Sequence, residues 1–98
     1  MNIIESAQKA LKDEIEGLSL LKDFFNSNFE DAVNAIFKTN GKVVVTGVGK
    51  SGHIGRKISA TLSSTGTPSY FVHPTEASHG DMGMIENNDI IFAISWSG

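Results

Sequence analysis

The six residues Gly47-Val48-Gly49-Lys50-Ser51-Gly52 concentrate more usable chemistry than any other stretch of this chain. They follow Val43-Val44-Val45-Thr46, an apolar and β-branched run suited to a strand covered on both faces. Glycines at such a turn let a ligand approach the backbone closely. A helix is expected to follow, with Ser51 as its cap. The unpaired N–H groups and positive dipole end of a helix start attract an anion, most often phosphate. A turn with no ligand would explain Gly47 and Gly49 equally well. It explains Lys50 less well, because an ammonium group at a helix start opposes the dipole unless an anion is bound.

Two nucleotide motifs are only partly matched. Gly47-x-Gly49-x-x-Gly52 has the dinucleotide spacing, but the end of the second expected strand carries His73-Pro74 and no acidic residue for a ribose. Gly49-Lys50-Ser51 copies the tail of a triphosphate loop, yet Val44 stands where its first glycine belongs. Both cofactor classes are therefore disfavoured, and no cofactor is expected.

Further along, His73 and His79 flank Glu76, with Asp81 just beyond. Histidine ligates metals readily, but this spacing matches no standard zinc pattern. Loop histidines that bond a polar ligand, or nothing, fit better. Ser95-Trp96-Ser97-Gly98 follows a strand end and suits a second phosphate turn; a frayed terminus is the alternative.

The elements that must position these groups can be read from periodicity. Ile4, Ala7, Leu11, Ile15, Leu18, Leu21 and Phe25 form one apolar stripe, predicting a long amphipathic helix that serves core or subunit interface. Ser27 and Glu30 have capping-box spacing, predicting a second helix from near Asn28 with Phe29, Ala32, Val33, Ile36 and Phe37 as its core face. Strands are expected at 43–46, 69–72 and 90–94. A third helix is expected from Ser51 to Ser64, with Ile54, Ile58 and Leu62 inward and Gly52 and Gly55 permitting close packing. Thr75–Ser78 reads as one short helical turn. Alternation of strands and helices implies right-handed crossovers and a parallel sheet. The sequence reads as the front part of a domain, because a covering helix should follow the third strand.

Composition narrows the partners. The 98 residues carry a net charge of −3 and no basic block, which argues against nucleic acid. No apolar run is long enough to span a membrane, and no signal-peptide pattern opens the chain. Cysteine is absent, which fits a reducing, cytoplasmic setting.

Taken together, Lys42–Lys57, Ser64-Thr65-Gly66-Thr67-Pro68, Phe71-Val72-His73-Pro74, His79-Gly80-Asp81 and Ile94-Ser95-x-Ser97-Gly98 resemble the bacterial arabinose-5-phosphate isomerase family, whose members carry a sugar isomerase (SIS) domain. The resemblance runs over nearly the whole chain. It implies an α/β fold: an incomplete SIS (flavodoxin-like) three-layer sandwich with a parallel sheet, preceded by two N-terminal helices. Residues 1–40 would hold those helices, and 41–98 half of the sheet, without the paired regulatory (CBS) domains. It implies interconversion of ribulose 5-phosphate and arabinose 5-phosphate, feeding Kdo and lipopolysaccharide precursors, by a homo-oligomer.

By position, the resemblance makes Lys50 the catalytic lysine. It places Gly49, Ser51, Gly66, Thr67, His73, His79, Ser95 and Ser97 around a small phosphosugar, with His73 also a candidate metal ligand. Trp96 stands where the family pattern has a polar residue, and the family's glutamates and a later histidine lie beyond this chain. Aldose–ketose isomerisation needs a proton-transfer group and a stabiliser of the enediolate. Lys50 suits the second role, while Glu76 and Asp81 are the only loop carboxylates for the first. The expectation is an isomerase segment, weak or inactive alone. The alternative is a non-catalytic SIS remnant that binds a phosphosugar or another subunit.

Overall fold

The computed structural model describes residues 2–97, the side chain of Asp81 excepted. Gly98, the last residue of the expected second phosphate turn, lies outside the described residues. The chain forms two compact units, Met1–Asn34 and Ala35–Gly98, with the division inside the second helix.

In the first unit, α1 spans Ile3–Leu21 and a 3₁₀ turn follows at Lys22–Phe24. Asn2 and Glu5 form a reciprocal capping box at its start: Asn2 Oδ1 accepts from the Glu5 N–H, and Glu5 accepts from the Asn2 N–H. The apolar stripe is a real helix face, but none of its residues is buried, so the core reading fails. Phe25 leaves the stripe altogether, because the backbone turns extended there. α2 spans Ser27–Lys38. Its cap is Asn26, whose side chain accepts from the Asn28 and Phe29 N–H groups, and not the expected Ser27. An asparagine one residue earlier supplies the same acceptor and captures the role. Phe29, Val33 and Phe37 are exposed, contrary to the expected core face.

The second unit holds the sheet. β1 (Val43–Thr46) lies between β2 (Ser69–Phe71) and β3 (Ile90–Ala93), and both pairings are parallel. Val43, Val44 and Val45 are fully buried, because the central strand is covered on both faces. On one face lies α3 (Gly49–Ser64), and Gly52, Gly55 and Ser59 are its buried stripe. The residues expected inward, Ile54, Ile58 and Leu62, instead line a shallow outer groove. The helix approaches so closely that no side chain fits at Gly55. A Cβ on Gly55 would sit 3.0 Å from Phe71 and 3.1 Å from Val45. Hydroxyls tie this contact together. Ser69 Oγ donates to the Val43 carbonyl at 2.8 Å, and Ser59 Oγ meets Ser69 Oγ at 2.8 Å. The other face of β1 is covered by α4 (Pro74–Ser78), the expected short helical turn, and by a 3₁₀ turn at Asp81–Met84. Val44, Val72, Ala77, Met82 and Ile85 meet there.

Entry into β1 and β3 is fixed by one carboxylate. Asp89 Oδ1 accepts from the Lys42 N–H and Oδ2 from the Glu86 N–H, each at 2.8 Å. These bonds, the Glu86 amide foremost and then the Lys42 amide, hold the Asp89 carboxyl below the usual aspartate value. A depressed carboxyl stabilises the fold above its unfolded-state value and loses that contribution as pH falls through the lowered value. The melting temperature of the wild type is therefore expected to fall more steeply than that of Asp89→Asn as pH drops below about 4, where free aspartate titrates. Parallel pH profiles for the two proteins would refute this.

Candidate functional site

Parallel strands leave their carboxyl ends on one edge, and the loops above that edge form the usual ligand crevice of such sheets. Here Thr46 and Gly47 leave β1, Ile94 and Ser95 leave β3, and α3 begins between them. A cavity of about 440 Å³ opens at this corner, with Gly47, Ser51, Ser95 and Ser97 among its walls. Three residues expected at the substrate thus share one cleft although Ser51 and Ser95 are far apart in sequence. Val48, not Ser51, caps α3, and it offers no side-chain bond. Ser51 sits inside the first turn and lines the cleft. Gly49 adopts φ +58°, a left-handed conformation that favours glycine. No acceptor among the described residues takes the N–H groups of Gly49, Lys50 or Ser51. The first backbone bond of the helix runs from the Gly52 N–H to the Val48 carbonyl.

Thr46 was not anticipated. It lines the same cavity, and its Oγ1 is buried without a partner among the described residues. Such an orphan polar atom at a strand end is a sign that a ligand or water belongs there. Its signal in the sequence was only its place as the one hydroxyl residue ending a valine strand.

A second, smaller cleft of about 190 Å³ lies on the neighbouring flank of the same helix start, lined by Gly49, Gly52, His53, Arg56, Phe71 and His73. His73 caps α4 by accepting the Thr75 N–H on Nδ1, at 3.1 Å. A neutral ring bonded in this way carries its proton on Nε2 and presents a donor. Arg56 lies over the Phe71 ring with its guanidinium carbon 4.3 Å from the centroid. From the sequence, His53 reads as a solvated or packing side chain in the first turn of α3 and Arg56 has no assigned role, although positions 49, 52, 53 and 56 share one helical face.

The remaining expected residues are not gathered in. Lys50 is exposed and lines neither cleft. His79 is exposed at the carboxyl end of α4. Gly66 and Thr67 precede β2, at the opposite edge of the sheet, beside Thr39 and Gly41. Four strand residues at about 3.3 Å each separate the two edges. His73 Nδ1 accepts the Thr75 N–H, and no group of three His, Asp or Glu side chains that could hold a metal lies together among the described residues.

The SIS domain family model matches residues 35–98, the span of the second compact unit. The arabinose 5-phosphate isomerase KdsD of Yersinia pestis is 57% identical over 94 residues, covering 96% of this chain and 29% of that protein. The arabinose 5-phosphate isomerase GutQ of Escherichia coli K12 is 51% identical over 96 residues, covering 98% and 30%. Among solved structures, E. coli CFT073 c3406 in complex with arabinose 5-phosphate superposes with a TM-score of 0.84 at 42% identity, covering 97% of this chain and 52% of that one. The chain thus spans under a third of the length of these curated relatives. The expected fold class, a parallel α/β sheet preceded by helices, agrees with these structures. No described helix is long and apolar enough to cross a membrane.

Proposed function

This chain belongs to the SIS-domain family, and on that premise we propose that it is the phosphosugar-binding segment of an isomerase interconverting ribulose 5-phosphate and arabinose 5-phosphate. The observation that carries the reading is the meeting of Ser51, Ser95 and Ser97 with the unpaired amides of α3 in one cleft. Hydroxyls and helix-start amides together suit the oxygens of a phosphoryl group. The named substrate of KdsD and GutQ, and the sugar phosphate held by c3406, agree with that chemistry.

In the reaction a proton leaves C1 of the ketose, an enediolate forms, a proton passes from O1 to O2, and a proton returns to C2 to give the aldose, with no net gain or loss of atoms. The phosphoryl group anchors the chain of carbons; the enediolate needs cationic or donor groups nearby. Lys50, on the exposed rim beside Ser51, is proposed as a cation for the bound anion. The segment is proposed to work in a cytoplasmic homo-oligomer.

A second reading, phosphosugar binding without turnover, is favoured by one feature: neither cleft has a carboxylate among its described walls to act as base. Assay of the purified chain separates the two. Arabinose 5-phosphate is expected to bind at millimolar concentration or below, and Lys50→Ala to weaken it about tenfold, the worth of one charge-assisted contact. Absence of binding by calorimetry would overturn both readings. Ribulose 5-phosphate formed by the chain alone, detected by NMR, would overturn the second.

A further inference from the structure

We infer that the cleft walled by His53, Arg56 and His73 is the subsite for the oxygen-bearing sugar end of the substrate, and that Arg56 orients it. This rests on the reading of the serine-lined cleft as the phosphoryl site. The two clefts flank the same helix start: Gly47, Val48 and Ser51 face one, Gly49, Gly52 and His53 the other. One small ligand anchored by its phosphoryl group at Ser51 can therefore extend around Gly49 into the second cleft.

The walls of that cleft are chemically one-sided. Two imidazoles and a guanidinium line it, and no acidic side chain does. Arg56 has no carboxylate partner among the described residues, and its guanidinium carbon lies over the Phe71 ring. A guanidinium is planar and offers two parallel N–H donors, and His73 adds its Nε2–H. Paired planar donors match two oxygens on adjacent carbons, the pattern of a hydroxyketone and of its enediolate. The same fork also suits phosphoryl oxygens, but the serine cleft already offers hydroxyls and unpaired amides for those. Gly49 and Gly52 supply the floor, so the backbone comes within reach of the ligand.

The test compares two ligands on the full 98-residue chain by calorimetry: arabinose 5-phosphate and inorganic phosphate. Arg56→Ala is expected to weaken arabinose 5-phosphate about tenfold or more relative to inorganic phosphate, so that the ratio of the two affinities collapses. Arg56→Lys keeps the charge but loses the planar fork, and is expected to lose most of the same ratio. His53→Gln, at an exposed position that leaves the Phe71 stack in place, is expected to shift the ratio in the same direction and serves if Arg56 variants fail to fold. An unchanged ratio in Arg56→Ala and His53→Gln would overturn the inference while leaving the phosphoryl reading intact. Equal weakening of both ligands would overturn it too, by moving Arg56 to the phosphate. Wild-type chain that binds neither ligand would sink the phosphoryl reading and this inference with it.

Discussion

Gly52→Ala lowers the melting temperature of the chain by about 10 °C. The new Cβ would lie 2.7 Å from the Gly47 carbonyl oxygen and 3.3 Å from its carbon, which are backbone atoms of the strand-to-helix turn. A flexible side chain could move aside; a peptide carbonyl at the end of the central strand cannot without shifting the turn. Overpacking of this kind costs about 2 kcal/mol, and each kcal/mol shifts the midpoint by roughly 4–8 °C in a domain of this size. Gly17→Ala is the control. Gly17 lies inside α1 with nothing within 4 Å of its would-be Cβ, so alanine there should add about 0.5–1 kcal/mol of helix stability. Thermal melts by circular dichroism on both variants decide the matter. Equal melting temperatures for Gly52→Ala and wild type would show that the turn yields, and the close approach of helix and strand would lose its energetic meaning. Because the same turn supplies the amides at the cleft, Gly52→Ala should also weaken phosphate.

Removing both hydroxyls in Ser95→Ala/Ser97→Ala is expected to weaken arabinose 5-phosphate by at least about a hundredfold. Each hydroxyl donating to a phosphoryl oxygen is worth about 1.5–3 kcal/mol, and every 1.4 kcal/mol is tenfold. Both serines are exposed in the structure, so their loss leaves the buried valine core untouched. Inorganic phosphate is expected to weaken in parallel, which distinguishes this effect from that of Arg56. Titration calorimetry with each ligand reads both. Tight binding retained by the double variant would move the phosphoryl group elsewhere on the chain.

The core itself explains why such changes matter. Among the described residues only Val43, Val44, Val45 and Val72 are buried hydrophobics, while Leu11, Phe24, Phe37 and Ile91 are among many large apolar side chains left in solvent. A fold with so few buried residues has a small margin to lose. β1 alone satisfies the demand for burial on two faces, which is why its valines, its flanking glycines and the Asp89 bridge to Lys42 carry so much of the structure.

The amino-acid sequence by itself determined the local elements and the anion-ready corner. Valine repetition specified a doubly covered strand, glycine spacing specified the turn, and alternation of strands with helices specified a parallel sheet. Each of these depends on neighbours along the chain, so it is legible from order alone. What the tertiary structure decided was which side chains share a space. It turned the Gly52, Gly55 and Ser59 stripe of α3 inward and Ile54 outward, because the smallest residues permit the closest contact with β1 and Phe71. It moved the cap of α2 to Asn26, where one more side-chain acceptor competes. It brought Thr46 and Ser51 to Ser95 and Ser97, and set His53 and Arg56 beside His73, while leaving Gly66 and Thr67 at the far edge. Those groupings follow from strand register and helix rotation in space, which no spacing along the chain encodes.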